Sequence, residues 1–188
     1  MKVLYVDTTT PDLVVAVVEE NKITDVTASS VGTHHSELLC GRVSEALKQA
    51  KIGFSELDAY ACAVGPGSFT GIRIGISTVK GYCTAHPLPY ISVCCLEAIA
   101  RSKTCGAKGS AAIDAGNGYY FADYNVGTQP TLIGYDDERV HAAGKASSAT
   151  DYFDGAVEII AERFASGNFS ETLTPLYIRR SQAEENRK

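Results

Sequence analysis

The spacing of apolar positions divides the chain into short elements. Residues 2–7 (KVLYVD) form a β-type run that ends in the polar turn TTTPD. Two more β runs, 13–19 and 23–29, are separated by Glu20, Asn21 and Lys22, which predicts an antiparallel meander. Over 36–50 the period becomes helical. Leu39, Val43, Ala46, Leu47 and Ala50 carry the apolar positions, and Arg42, Glu45, Lys48 and Gln49 lie opposite. Gly53 is expected to stop this helix. Residues 57–64 are small and apolar almost without break, as in a strand buried on both faces. A helix over 69–84, a strand over 89–93 and a short helix over 96–103 follow. Three β elements followed by alternating helices and strands predict an α/β architecture with a mixed sheet.

From Gly106 the opening pattern returns in brief. The run 110–114 ends in Asp114, as 2–7 ends in Asp7, and after the turn AGNG a second β run covers 119–125. Strand, Asp, tight turn and antiparallel strand in both halves indicate a duplicated unit. The expected boundary falls between residues 105 and 106, with domains over 1–105 and 106–188. Beyond Pro130 the pattern predicts a helix over 156–165 and a strand over 176–178.

Composition narrows the function classes. The 188 residues carry a formal charge of −5. Gripping nucleic acid needs clustered Lys and Arg, so this chain is not expected to be the main nucleic-acid-binding surface. No apolar run approaches the 18 or so residues of a membrane span, and a cytoplasmic location with no membrane contact is expected. The six cysteines form no C-x-x-C pair, and Cys62 and Cys83 read as small buried hydrophobes. Four histidines, His34, His35, His86 and His141, form neither H-E-x-x-H nor H-x-x-x-H, so no metal site is expected.

The stretch GPGSFTGIRIG, residues 65–75, holds four glycines between a strand and a helix. It lacks the Gly-Lys-Ser or Gly-Lys-Thr of a P-loop. Gly65 and Gly67 match the first two glycines of a dinucleotide loop, but Thr70 occupies the third position. The nucleophile elbow fails because Phe69 and Thr70 follow Ser68. Anion binding at the helix N-terminus stays open as a reading. Each glycine inside a helix costs about 1 kcal/mol against alanine, so Gly71 and Gly75 call for a closely apposed backbone. Two readings remain. Gly71, Gly75 and Thr78 either pack inside the domain or meet a partner helix, with Ile72, Ile76, Val79 and Cys83 facing the sheet. Under the second reading Ser36, Leu39, Val43, Gly67, Phe69 and Arg73 complete the partner face, giving a four-helix contact. Asp7 and Asp114, both at strand ends, are candidates for a paired-carboxylate crevice that holds a nucleotide and Mg²⁺, or for caps of their own turns.

In order, VDTTT, HHSELL, AVGPGSFTGIRIG, VKG, SVCCLEAIA, IDAGNGYYFADY and TPLYIRR resemble the motifs of the TsaB (YeaZ) family. The resemblance covers residues 1 to about 125 and then 173–180. It implies an actin-like, Hsp70-like ATPase fold of two tandem RNase H-like domains within the glycoprotease-like superfamily. The short stretch between Asn125 and Leu173 implies a reduced second domain, and Gly116 stands where the family has a basic residue. It further implies a non-catalytic subunit for threonylcarbamoylation of the adenosine beside the tRNA anticodon. The expected partners are TsaD and TsaE, with a homodimer when alone and tRNA met only through the complex. No cofactor is expected on this chain alone, while the complex uses ATP. The alternative is a glycoprotease-like or nucleotide-using enzyme of the actin-like class.

Overall fold

A computed structural model describes residues 1–20, 22–25, 34–106 and 109–178. Strands β1 (Lys2–Asp7), β2 (Val14–Glu19) and β3 (Ile23–Asp25) form the expected antiparallel meander. Residues 26–29 of the expected third strand lie outside the described residues. Helix α1 (His35–Ala50) leads to β4 (Ala59–Gly65), which pairs parallel with β1. Helix α2 (Phe69–Ala85) then crosses to β5 (Tyr90–Cys94), parallel with β4. The first sheet therefore runs β3-β2-β1-β4-β5.

Helix α3 (Cys95–Arg101) follows directly and stops at Ser102, two residues before the expected end. Ser102 Oγ bonds to the carbonyl of Asp151 and accepts from the Cys105 amide, which holds it in an extended conformation. The second sheet contains β6 (Ser110–Asp114), β7 (Tyr119–Asp123), β8 (Thr131–Ile133) and β9 (Gly144–Ala146), in the order β8-β7-β6-β9. Its first three strands are antiparallel, and β9 joins β6 in parallel, after the four-residue helix α4 (Arg139–Ala142). Strands β8 and β9 are three residues long, too short for a period to mark them in the sequence.

The alternation of β1 explains the layers. Val3 and Tyr5 point to one side of the first sheet, Leu4 and Val6 to the other, and all four are buried. The Leu4 side packs under α1 and α2, through Leu39, Val43, Ile72, Ile76 and Val79. The Tyr5 side packs against α3 and α5 (Phe153–Ala165), through Leu96, Ile99, Ala156, Ile159 and Ile160. The same core takes in Ala111 and Ala122 of the second sheet, so both sheets share one apolar interior with α3 inside it. The chain after β9 turns back to the first sheet. Ser170 bridges Tyr90 at the β5 edge, Leu173 is buried among the α1 and α2 residues, and the Leu176 amide donates to the Val64 carbonyl. Among the described residues, this backbone bond stands where a strand over 176–178 was expected.

Helix α1 ends on Lys51 rather than on Gly53. Lys51 takes the left-handed conformation at φ 61°, and its amide donates to the carbonyls of Leu47 and Lys48.

Candidate functional site

The two sheets face each other across a crevice of about 400 Å³. One wall comes from the turn after β1 (Thr9, Thr10, Pro11) and the entrance to α2 (Gly67, Ser68), with His35 beside them. The other comes from Ile113, Asp114, Ala115, Tyr120 and Ser147.

The glycines of GPGSFTGIRIG are explained here. The turn after β1 lies so close to α2 that a Cβ on Gly71 would sit 1.9 Å from the Thr8 carbonyl oxygen. A Cβ on Gly67 would lie 2.5 Å from the Thr9 oxygen, and one on Gly75 would lie 2.5 Å from Thr8 Oγ1. Two hydrogen bonds seal the contact. The Ser68 amide donates to the Thr9 carbonyl at 2.7 Å, and Thr8 Oγ1 donates to the Gly71 carbonyl at 2.7 Å. Ser68 also caps the helix by accepting from the Gly71 amide. The glycine face is thus a slot for the chain's own Thr8–Thr9 turn. Gly71 and Gly75 face this turn, and Leu39 and Val43 are buried in the core of the first sheet. Their burial follows from the period that marked the helix: the apolar face of α1 is the one the sheet covers. Ser36 and Arg73 are exposed; Gly67, Phe69 and Thr78 are half-buried.

Phe69 and Arg73 meet a residue that the sequence reading did not single out. Tyr177, 108 positions after Phe69, stacks on its ring at 4.7 Å between centroids. The Arg73 guanidinium lies 3.9 Å over the Phe69 ring, and its Nε donates to the Tyr177 hydroxyl at 2.9 Å. Only the return of the chain after α5 brings Tyr177 there.

Asp7 and Asp114 stand in different surroundings. Asp7 is fully buried, and its carboxylate accepts from groups of its own chain. One oxygen takes the Thr9 amide at 2.8 Å and Thr9 Oγ1 at 2.7 Å; the other takes the Tyr5 and Tyr152 hydroxyls at 3.0 and 2.9 Å. A buried carboxylate needs such partners to offset its lost hydration. Burial, and then the charge of Asp7, push the Tyr5 and Tyr152 hydroxyls well above their ordinary pKa, so both keep the proton they donate. The Cys95 thiol is raised for the same two reasons and lies 3.4 Å from Thr9 Oγ1, whose own proton goes to Asp7. Burial also raises the Cys62 thiol, and thiols held protonated in this way are poor nucleophiles. Asp114, by contrast, lines the crevice and accepts from the Gly116 amide at 2.7 Å and the Tyr135 hydroxyl at 3.0 Å. His35 bonds through Nε2 to the Asp12 carbonyl at 3.3 Å. Among the described residues no three His, Cys, Asp or Glu side chains come together as a metal-binding group. No helix among them is long and apolar enough to cross a membrane.

Two mixed sheets, each built on a three-stranded antiparallel meander with a parallel addition and facing each other over a crevice, define the actin-like, RNase H-like class of α/β proteins. The solved structure of YeaZ from Pseudomonas aeruginosa has this fold, with a TM-score of 0.76 and 22% identity over 94% of this chain and all of that one. The family model of TsaD, tRNA N6-adenosine threonylcarbamoyltransferase, matches residues 19–152, and the chain belongs to this family. A tRNA N6-adenosine threonylcarbamoyltransferase of Nitrobacter hamburgensis is 32% identical over 118 residues, covering 52% of this chain and 33% of that protein. An uncharacterized protein of Mycobacterium tuberculosis is 35% identical over 101 residues, covering 52% of this chain and 47% of its own length. The chain thus matches a third to a half of the length of these curated relatives.

Proposed function

We propose that the chain is the non-catalytic partner subunit of a tRNA threonylcarbamoyl-transferase assembly, in the role of TsaB. It binds and supports a TsaD subunit, works with a TsaE-type ATPase, and pairs with itself when alone. It acts in the cytoplasm and meets tRNA only through the complex. ATP is used by the complex and not by this chain alone. Membership of the TsaD family supports a role in tRNA threonylcarbamoylation.

The observation that carries the non-catalytic reading is the state of Asp7. The carboxylate that ends the central strand, beside the crevice, is wholly spent on Tyr5, Thr9 and Tyr152. It is an internal anchor, not a free ligand. The residues that line the crevice contribute one carboxylate, Asp114, and one imidazole, His35, whose Nε2 meets a backbone carbonyl. The sequence contains no H-x-x-x-H pair to hold a metal. The net charge of −5 supports the assignment of tRNA contact to the partner.

The test is reconstitution. Purified chain mixed with a TsaD homologue is expected to co-elute with it in size-exclusion chromatography. Adding the chain to TsaD, TsaE, tRNA and a threonylcarbamoyl donor is expected to raise the yield of modified adenosine. ATP hydrolysis by the isolated chain is expected at background. Failure to co-elute, or robust turnover by the chain alone that Asp114→Ala abolishes, would overturn the proposal.

A further inference from the structure

The Asp7 cluster lies where the two halves of the crevice meet, and its partners do not all come from one half. Tyr5, Asp7 and Thr9 belong to β1 and its turn. Tyr152 lies on the segment 147–152, which leaves the second sheet after β9 and leads into α5. The Tyr152 hydroxyl donates to Asp7 at 2.9 Å and lies 3.1 Å from Thr9 Oγ1. Neighbouring bonds tie the same two segments. The Ala149 amide donates to Thr10 Oγ1 at 3.0 Å, and the Ser148 and Thr150 hydroxyls donate to the Asp12 carboxylate. On the segment itself, Asp151 accepts from the Ser147 and Ser148 amides at 2.9 and 3.0 Å and so holds its shape.

We infer that Asp7, Thr9 and Tyr152 form a buried latch that fixes the β1 turn to the β9 exit and so holds the crevice at one width. Three physical facts support it. The latch is buried: Asp7, Thr9 and Tyr152 are all within 2% of complete burial. Opening the crevice at this point would take one donor from the buried Asp7 carboxylate and strand the Tyr152 hydroxyl in the core, which makes opening costly. The turn that is latched is also the one seated in the glycine slot of α2, so the walls on both sides of the crevice are held through one segment, residues 8–12. Asp7 then serves the fold as a hub, and the rigid body presented to any partner is both sheets together. This inference stands on the hydrogen-bond geometry and does not depend on the proposed tRNA role.

Hydrogen–deuterium exchange followed by mass spectrometry tests it on the full chain. Tyr152→Phe removes one hydroxyl and leaves the ring in the core. Loss of a hydrogen bond to a buried charge corresponds to roughly a tenfold to hundredfold shift in a local equilibrium. Amides of residues 8–10, 12 and 147–152 are therefore expected to exchange roughly ten to a hundred times faster in Tyr152→Phe. Amides of the central strands β1, β4 and β6 are expected to change less. Ile160→Val, which lies in the same core but touches none of the latch bonds, serves as the control for general loosening. It is expected to leave the ratio of latch to strand exchange as in the wild type. Unchanged exchange at both latch segments in Tyr152→Phe would overturn the inference. So would an acceleration spread evenly over both sheets and matched by Ile160→Val. Where Tyr152→Phe does not fold, Thr10→Val removes the Ala149 tie, together with the Thr10 Oγ1 bond to the Asp12 carbonyl inside the turn, and must show acceleration at residues 147–152 as well as in the turn; unchanged exchange at 147–152 would also overturn the latch.

Discussion

Two alanine substitutions in one helix separate internal packing from helix propensity. Gly71 and Gly81 both lie within α2, and alanine at either position gains about 1 kcal/mol of intrinsic helix stability. Their surroundings differ. A Cβ on Gly81 meets nothing within 4 Å, whereas one on Gly71 meets the Thr8 carbonyl oxygen at 1.9 Å, about 1.5 Å inside ordinary contact. The obstacle is backbone, so no side-chain rotation relieves it. Helix α2 and the β1 turn must separate, which overpacks the contact at about 1–3 kcal/mol. The separation also weakens the Thr8 Oγ1 to Gly71 and Ser68 to Thr9 bonds, at about 1 kcal/mol each. After the helix gain is deducted, Gly71→Ala should destabilise by roughly 2–4 kcal/mol, and Gly81→Ala should stabilise by about 1 kcal/mol. In a chain of this size 1 kcal/mol moves the melting temperature by about 2–4 °C. Melting followed by circular dichroism, with urea titration for the free energies, reads both. Gly71→Ala should melt on the order of 10 °C below the wild type, and Gly81→Ala a few degrees above it. If Gly71→Ala folds as stably as Gly81→Ala while assembly with a partner weakens, the slot argument fails and the glycine face is external after all.

Two further outcomes follow from single sites. Lys51 holds the left-handed turn after α1 at φ 61°, a region that costs a residue with a Cβ about 1–2 kcal/mol, so Lys51→Gly should raise stability by about 1 kcal/mol in urea titration. The Asp137 carboxyl, hydrogen-bonded first of all by the Arg139 side chain, is held down to about 2. Its folded value lies below the unfolded value of about 3.9, so its contribution is present above that pH and is lost as pH falls through about 2. Carbon-detected NMR titration should find its midpoint near 2, and Arg139→Met should bring it back toward about 3.9.

The sequence by itself determined the local elements and the side each one buries. Leu39, Val43, Ile72 and Ile76 lie at helical spacing and are buried in the core, because an amphipathic helix can cover its apolar face only by packing it. The run over 57–64 was legible as a doubly buried strand because its residues are uniformly small and apolar. The hairpin after Asp114 was legible because AGNG supplies the glycines that its turn requires, with Gly116 at φ 79°. The motif order carried the family as well. The destination of the glycine face was decided only by tertiary structure. A helix with Gly71 and Gly75 on one side demands a close neighbour, and propensity cannot say whether that neighbour is another chain or the carbonyl of Thr8, 63 positions away. The role of Asp7 was hidden for the same reason. A carboxylate at a strand end reads alike whether it faces solvent or the core. The choice was made by Tyr152, which reaches Asp7 from 145 positions along the chain. Strands β8 and β9 and the return of residues 170–177 also escaped the sequence, since elements of three residues and single backbone bonds leave no period to detect. Contacts between residues far apart in sequence depend on how the sheets stack, and stacking is a property of the packed interior rather than of any window along the chain.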